Sequence, residues 1–290
     1  MSHSKFVSIV VPALFALICA SADAQDTQGT LRRIIASKVI KLGYLKDGVP
    51  FSFVIGPEKK PVGYAVDLCQ RIVADIQQQL DVPSLAVQWV EVTQTNRFDK
   101  VVDGSIDLEC GTSTNTVSRQ KKVDFSLVTW VDGGNFLMKS DQTMKSLSDL
   151  AGKKIAVLGD TTTETTLREA LKRASIDAQV VTVKEHLAGL NAMHRGEVDA
   201  YAGDQTVLIG LNIAVGEQMP MKLSEQNYSY EPYGLVLRRN DAEFKQVVNQ
   251  TLARLYRTGQ IVEVYDRWFG KLGKPSPLLV TMFALNGLPE

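Results

Sequence analysis

The sequence has little of three features that would place a chain in a specialised class. Only 3 of its 290 residues are cysteine, which excludes a disulfide-dense scaffold. The 32 lysines and arginines balance 32 aspartates and glutamates, which argues against the basic surface of a nucleic-acid-binding protein. After the first two dozen residues, no apolar run approaches the ~18 residues that a membrane-spanning helix needs. The hydrophobic content of 44% indicates a sizeable core, in one large domain or two lobes.

The first 24 residues differ in composition from the rest of the chain. Lys5 precedes the apolar run FVSIVVPALFALICA, and small residues close it. This order is typical of a secretory signal peptide, with cleavage after Ala24 or, alternatively, after Ala22. Ile18 stands directly before Cys19, where a lipoprotein signal needs a small residue. We therefore expect a soluble protein exported to the periplasm.

Export leaves two cysteines in the mature chain, Cys69 and Cys110. Cys69 lies on the apolar stripe of a predicted helix, and Cys110 ends a predicted strand. The periplasm permits a disulfide, but a bridge requires the two Cα atoms to lie within ~7 Å. The sequence leaves the pairing open, and we favour two separately buried thiols.

Two ten-residue segments, 103–112 and 195–204, repeat one pattern. DGSIDLECGT and RGEVDAYAGD each run from a charged residue through glycine and an aliphatic residue to aspartate, and then reach a second glycine. A helical pattern precedes each segment, and a short apolar strand stops at each second glycine. Chance likeness is the alternative. The repeat predicts an α/β fold of two lobes, with a ligand cleft at the carboxyl ends of the strands.

Other segments support a division into two lobes. KVIKLGYL and KKIAVLG predict the strands that open the two sheets. VDGGNFL and YEPYGLVL carry glycine or proline and predict two crossings between the lobes. We predict lobe 1 from residues 25–134 plus 234–290, and lobe 2 from residues 135–233.

The C-terminal region predicts two helices. The first begins with Asn240 as N-cap and Glu243 three residues later, and stops at Gly259. The second, IVEVYDRWFG, ends at Gly270.

A cluster of hydroxyl side chains follows the strand of the first repeat copy. Thr112, Ser113 and Thr114 come directly after Gly111, and Arg119 comes five residues after Thr114. A helix beginning near Thr114 would present free backbone amides and its positive dipole end to an anion. Arg119 adds a planar fork of donors that matches a carboxylate. These residues predict a carboxylate site, and the alternative is a helix cap beside a solvated arginine.

The predicted second lobe contains a similar loop. In LGDTTTETTL, Thr161 and Thr162 lead from a strand into a helix. Asp204 ends the second repeat copy, at the position that Thr112 holds in the first. One loop would present donors and the other an anionic acceptor, which together suit a zwitterion. The alternative is that Asp204 caps a turn or a helix.

The chain resembles the type 3 periplasmic solute-binding proteins for amino acids, most closely their glutamate/aspartate-binding branch. The likeness covers nearly the whole mature chain, and its segments follow the family order: VPFSF, VGYAVDL, TNRF, DLECGTSTNTVSRQKKVDFS, EPYGLVLRRND and YDRWFG. The resemblance implies two hinged lobes that trap a ligand and pass it to the membrane permease of an ABC importer. We also expect a monomer that binds no cofactor and no metal.

The resemblance also implies roles for particular residues. Arg119 would bind the α-carboxylate, assisted by Thr112 and Thr114, and Asp204 would bind the α-ammonium group. Thr161 and Thr162 would line the far wall.

Arg97 and His186 would face the side-chain carboxylate of the ligand. From their local sequence alone, Arg97 is a surface arginine at a helix start, and His186 is a loop histidine. Two departures weaken the acidic assignment, because Leu45 replaces an arginine of that branch and Gln94 replaces a serine. Glutamine, asparagine or a related small polar compound is therefore the alternative ligand.

An enzyme is the competing hypothesis, because the same architecture hosts a periplasmic cyclohexadienyl dehydratase. That reaction needs a proton-donating carboxyl group in the cleft. Glu109 would lie within a strand, and Glu164 would lie at a helix start that favours its charged form, so neither is well placed. The sensor half of a receptor is a third possibility, but it would need a membrane segment and a signalling domain, and the sequence predicts neither. We expect a binding protein without catalytic activity.

Overall fold

The computed structural model describes residues 29–215 and 220–289. The predicted signal peptide, residues 1–24, lies outside the described residues. Within the described ranges, no helix is both long enough and apolar enough to cross a membrane.

The strands of the described residues form two five-stranded sheets and one small sheet of three strands. In chain order the strands are β1 (Val39–Tyr44), β2 (Asp47–Gly48), β3 (Ser52–Ile55), β4 (Lys60–Val62), β5 (Ala86–Glu91), β6 (Leu108–Glu109), β7 (Asp124–Asp132), β8 (Gly134–Lys139), β9 (Lys154–Leu158), β10 (Gln179–Val183), β11 (Ala200–Asp204), β12 (Met221–Leu223) and β13 (Glu231–Leu237).

The two large sheets share one pattern of strand directions. Their strand orders are β5-β1-β6-β13-β7 and β10-β9-β11-β8-β12. In the first sheet β5, β1 and β6 are parallel and β13 is antiparallel to β6. In the second sheet β10, β9 and β11 are parallel and β8 is antiparallel to β11. The central strands β6 and β11 belong to the two sequence repeats, and the predicted two-lobed α/β fold is confirmed.

Helices pack against both large sheets. They are α1 (Thr30–Ser37), α2 (Tyr64–Gln79), α3 (Arg97–Val102), α4 (Thr162–Arg173), α5 (His186–His194), α6 (Gln205–Val215), α7 (Ala242–Arg257), α8 (Ile261–Phe269) and α9 (Pro277–Asn286). In the first lobe α2 packs on β1 and α7 on β7, whereas α4 and α5 pack on β9 and β11 in the second.

The chain passes between the large sheets twice. Gly133 alone separates β7 from β8, within the predicted crossing VDGGNFL. Residues 224–230 connect β12 to β13, and β13 lies wholly in the first sheet. The second crossing therefore precedes the predicted boundary at residue 234. The lobe limits 25–134 plus 234–290 and 135–233 stay a prediction.

Cys69 and Cys110 form a disulfide bond with a Cα–Cα distance of 6.2 Å. Our expectation of two separate thiols was wrong. Cys69 lies on the buried face of α2, which packs on β1, and Cys110 directly follows the neighbouring strand β6. Packing of helix on sheet brings together two residues whose approach the local sequence does not encode.

The predicted C-terminal helices are confirmed as α7 and α8, with a correction at the first cap. Asp241, rather than Asn240, caps α7, since its Oδ1 accepts the N–H of Phe244 at 3.3 Å. Asn240 has a φ of 65° and so lies outside the cap in the left-handed region. Oδ2 of Asp241 also accepts the N–H of Thr30 at 2.9 Å, which ties α1 to α7.

Candidate ligand-binding site

All eight residues that the sequence proposed as ligand contacts line one cavity, to which both lobes contribute. They are Arg97, Thr112, Thr114 and Arg119 from the first lobe, and Thr161, Thr162, His186 and Asp204 from the second. Gln94 and Thr163 add further polar groups. The cavity is narrow, with a volume of about 30 Å³. We therefore expect the lobes to move apart when an amino acid enters.

The loop after β6 is not the helix start that the sequence predicted. Thr114 forms an isolated β-bridge with Tyr233, and the N–H of Asn115 donates to the carbonyl oxygen of Pro232 at 2.7 Å. Pairing with β13 thus engages this loop, and only a 3₁₀ turn follows, at Arg119–Lys121. The helix-dipole argument for an anion site was wrong at Thr114.

Arg119 begins the 3₁₀ turn and reaches back along the loop. Its Nη1 donates to the carbonyl oxygen of Thr114 at 2.9 Å, and its guanidinium carbon lies 5.1 Å from the centre of the Phe98 ring. Burial lowers the pKa of Arg119, but nearby carboxylates oppose that effect. The guanidinium is thus held at the cavity wall, where a planar fork can bind a carboxylate through two N–H groups.

The second lobe supplies a helix N-terminus at the cavity. Thr161 caps α4, because its Oγ1 accepts the N–H of Glu164 at 3.0 Å and donates to the carbonyl oxygen of Leu158 at 2.7 Å. The predicted loop-to-helix transition is confirmed. Since Thr161, Thr162 and Thr163 line the cavity, the positive end of α4 lies beside it. The dipole that favours an anion comes from the second lobe.

Asp204 ends β11 at the cavity and accepts two side-chain hydrogen bonds. The hydroxyl of Thr163 donates to Oδ1 at 2.5 Å, and the hydroxyl of Tyr233 donates to Oδ2. Burial and the charge of Glu231 raise the pKa of Asp204, whereas the two hydroxyl donors lower it. A cation bound beside Asp204 would favour its ionised form.

Glu231 was missed in the sequence, although it lies in the quoted segment EPYG. It is 1% exposed, and its Oε2 accepts the hydroxyls of Thr114 at 2.8 Å and Thr162 at 2.6 Å. One carboxylate therefore joins the two lobes.

Asp132, at the first crossing, was also missed. It accepts the N–H of Thr206 at 3.1 Å, and burial together with the charge of Asp204 raises its pKa. The available signal was an acidic residue at each predicted crossing, in VDGG and YEPY.

Arg97 and His186 are both buried, so neither is the exposed residue that its local sequence suggests. Arg97 is 2% exposed, and its Nε and Nη1 have no hydrogen-bond partner among the described residues. Burial lowers the pKa of Arg97 to about 10, so it stays charged at neutral pH. His186 is 6% exposed, its Nδ1 lies 2.7 Å from the hydroxyl of Tyr201, and burial lowers its pKa.

The two departures from the acidic branch occupy different positions. Gln94 lines the cavity. Leu45 is 3% exposed and packs in an apolar cluster with Val92, Val101 and Ile106, outside the cavity lining. A substitution at Leu45 would therefore act on the cavity from behind its wall.

Contacts between the lobes close the cavity on the side of β2 and α5. The N–H of His186, the first residue of α5, donates to Oδ2 of Asp47 at 3.1 Å. Next to it, Nζ of Lys46 lies 2.6 Å from Oε1 of Glu185. These contacts join the lobes in the closed arrangement.

A polar cleft closed between two α/β lobes, with arginines on one side and an aspartate on the other, defines a two-lobed solute-binding protein. The family of bacterial extracellular solute-binding proteins, family 3, matches residues 40–271. The chain belongs to this family.

Three relatives show how far the likeness extends. The chain is 31% identical over 254 residues to an L-glutamate/L-aspartate-binding protein of Pseudomonas aeruginosa, covering 88% of this chain and 84% of that protein. It is 26% identical over 275 residues to an ABC transporter glutamine-binding protein of Bacillus subtilis, covering 91% and 97%. The solved structure of AncCDT-1, an ancestral amino acid-binding protein and a precursor of cyclohexadienyl dehydratase, has a TM-score of 0.72 and 25% identity, covering 83% of this chain and 100% of that one. The chain is thus an amino-acid solute-binding protein of the ABC importer type.

Proposed function

We propose that this chain is the periplasmic binding subunit of an importer for glutamate and aspartate. It captures the amino acid between its lobes as a monomer and delivers it to a membrane permease. The apolar N-terminal segment supports export, and the family supports the transport role.

The backbone groups of the ligand are bound by both lobes. Arg119, with Thr112 and Thr114, binds the α-carboxylate. Asp204 binds the α-ammonium group, and the buried carboxylate of Glu231 adds negative charge nearby. Thr161 and Thr162 form the opposite wall, with the positive end of α4 behind them.

The guanidinium of Arg97, which is only partly satisfied by hydrogen bonds, carries the acidic assignment. This cation is 2% exposed at the cavity, and two of its nitrogens have no partner among the described residues. A buried charged donor is costly unless an anion pairs with it. The side-chain carboxylate of glutamate or aspartate supplies that anion, with His186 as a further contact.

The amides glutamine and asparagine, or a related small polar compound, are the second candidate ligands. Leu45 favours them, because it replaces an arginine of the acidic branch. This chain therefore lacks one cation that would favour an acid over its amide. The relative of B. subtilis, a glutamine-binding protein, supports the same alternative.

A dehydratase has less support from the site. Glu109 and Glu164 are both outside the cavity lining. Glu164 bonds to Arg168 at 2.9 Å, and its pKa is lowered although burial opposes this. Neither carboxyl is placed to protonate a leaving hydroxyl, which supports binding without chemistry.

Calorimetric titration of the ligand-stripped protein with each of the twenty amino acids tests the proposal. We expect glutamate and aspartate to bind most tightly. Tightest binding of a neutral or cationic amino acid would overturn the acidic assignment and leave Arg97 with a structural role.

A further inference from the structure

Phe98 is an aromatic residue behind the cavity lining to which the proposed function gives no role. It is the second residue of α3, directly after Arg97. The guanidinium carbon of Arg97 lies 4.7 Å from the centre of the Phe98 ring, and that of Arg119 lies 5.1 Å from it. Both distances are within the ~6 Å over which the face of an aromatic ring attracts a cation. One ring therefore interacts with both arginines of the cavity.

The two arginines reach this ring from different segments of the chain. Arg97 begins α3, whereas Arg119 begins the 3₁₀ turn that follows the loop after β6. Contact between Arg97 and its neighbour in sequence is a local matter, but the approach of Arg119 depends on the tertiary fold. The two guanidinium carbons are less than about 10 Å apart, so their charges repel each other. The partial negative charge of the ring face offsets part of that repulsion.

The protein holds the Phe98 ring from behind. Phe98 packs against the buried apolar cluster that contains Leu45 and Phe125. At the start of α3, the N–H of Arg97 donates to the carbonyl oxygen of Thr93 at 3.1 Å. The cluster and the helix backbone thus fix the position of the ring, and the ring in turn restricts the positions of the two guanidinium groups.

Contact with a ring leaves the hydrogen-bonding edge of a guanidinium available. The ring attracts the flat face of the group, whereas a carboxylate binds the N–H groups along its edge. A protein carboxylate in the place of the ring would instead occupy those N–H groups. Nε and Nη1 of Arg97 have no hydrogen-bond partner among the described residues, as this arrangement requires.

We propose that Phe98 is a positioning residue that strengthens the preference for acidic ligands by orienting Arg97 and Arg119 together. This inference rests on the proposed function, in which Arg119 binds the α-carboxylate and Arg97 the side-chain carboxylate. Groups that are already held in their binding positions lose less freedom when the ligand arrives, so the affinity is higher. Glutamate uses both arginines, whereas glutamine has only the α-carboxylate. Phe98 therefore contributes more to glutamate binding than to glutamine binding.

The substitution Phe98→Leu tests the inference, because it keeps an apolar side chain and removes the ring. The measured quantity is the Kd for glutamine divided by the Kd for glutamate, by calorimetry on the ligand-stripped protein. We expect Phe98→Leu to lower this ratio at least about threefold, through a larger loss of glutamate affinity. Phe98→Tyr retains the ring face and should keep the ratio of the parent.

Two further variants separate the ring face from packing. Phe125→Leu makes the same change at another ring of the cluster, over which neither Arg97 nor Arg119 lies in the described part of the chain. It should lower the free energy of unfolding and leave the ratio unchanged. Replacing Phe98 by pentafluorophenylalanine keeps the shape of the ring and reverses the partial charge of its face. This replacement should lower the ratio as Phe98→Leu does, and it decides the matter if Phe98→Leu does not fold.

Three outcomes overturn the inference. In the first, the ratio in Phe98→Leu equals that of the parent, with both affinities unchanged or weakened in equal proportion. In the second, Phe98→Tyr or Phe125→Leu lowers the ratio as much as Phe98→Leu does, which would assign Phe98 to packing alone. In the third, the fluorinated ring leaves the ratio unchanged.

The same measurements distinguish a failure of this inference from a failure of the proposed function. In all three outcomes, a parent that prefers glutamate to glutamine retains the proposed function. A parent that prefers glutamine, or that binds neither ligand, overturns that function and this inference together.

Discussion

The two lobes share one pattern of strand directions but bring different charged groups to the cavity. The first lobe places Arg97 and Arg119 there, and the second places Asp204 and the positive end of α4. The repeats put Thr112 and Asp204 at corresponding positions, one at a strand end that offers donors and the other at one that offers a carboxylate. A few residues after equivalent strands, and not the scaffold, make the two halves of the site different.

Under the proposed function, this difference makes recognition depend on closure. A zwitterion has an anionic and a cationic group on one carbon, and their proposed contacts, Arg119 and Asp204, lie in different lobes. Glu231 makes this dependence visible, because hydroxyls from both lobes meet on its carboxylate. We therefore expect hinged closure about the two crossings to assemble the complete site.

The largest effect expected is the loss of stability on removing the disulfide, which links two elements of the first lobe. Replacing Cys69 and Cys110 by serine removes a bond that closes a loop of 41 residues. The loss of chain constraint should lower the free energy of unfolding by about 4 kcal/mol. Urea denaturation measures it, and the parent under reducing conditions is the control. An unchanged midpoint would contradict the expected contribution of the bond.

The second largest effect expected is that of Arg119→Lys, which should weaken binding of the ligand's α-carboxylate. Lysine keeps the charge but loses the planar fork, so glutamate affinity should fall about ten- to a hundredfold, by calorimetry. The control is Arg239→Lys, an exposed arginine of the first lobe that bonds to the carbonyl oxygen of Lys121. Equal affinities in the two variants would remove Arg119 from the site.

Ligand affinity should depend on pH through Asp204. Burial raises the pKa of Asp204, so protons compete with the ligand's ammonium group as the pH falls through that pKa. Glutamine affinity should drop by up to about tenfold per pH unit there. Tyr233→Phe removes a donor that lowers the pKa of Asp204, so the drop should begin at higher pH. A profile that is flat in both proteins would place the ammonium group elsewhere.

The smallest effect expected is that of Leu45→Arg. Leu45 and the carboxyl of Glu109 both lie beside Gly111, so the new guanidinium would add a positive charge behind the cavity wall. The preference for glutamate over glutamine should rise by about tenfold or less. Competition binding measures the ratio, and Leu45→Met is the control for disturbed packing. A ratio equal to that of the control would contradict an effect of the added charge.

Patterns local in sequence predicted the elements well. The strands in KVIKLGYL and KKIAVLG, the capped helix after Thr161 and the C-terminal helices all depend on periodicity and capping. The helix start predicted near Thr114 was wrong, because the backbone there pairs with Tyr233, a residue far along the chain. The disulfide was misjudged for the same reason, since only packing of α2 on the sheet sets its distance. Glu231 was overlooked because an acid at a predicted crossing does not by itself indicate that its side chain reaches the cavity.

The spacing of residues along the sequence does not by itself predict that the eight proposed contacts line one cavity. The sequence motifs suggested Arg119 and Asp204, but Arg97 and His186 came from the family resemblance. Their burial depends on tertiary contacts such as the hydrogen bond between His186 and Tyr201. The role of each contact remains a prediction that binding measurements will decide.

The central claim, that each lobe binds one charged group of the zwitterion, is tested most directly with two ligand analogues. Glutarate lacks the ammonium group, and 4-aminobutyrate lacks the α-carboxylate. Calorimetry should show that each binds at least about tenfold more weakly than glutamate, since each leaves one lobe's charge unpaired in a closed cleft. Glutarate binding as tightly as glutamate would contradict the role of Asp204, and 4-aminobutyrate doing so would contradict that of Arg119.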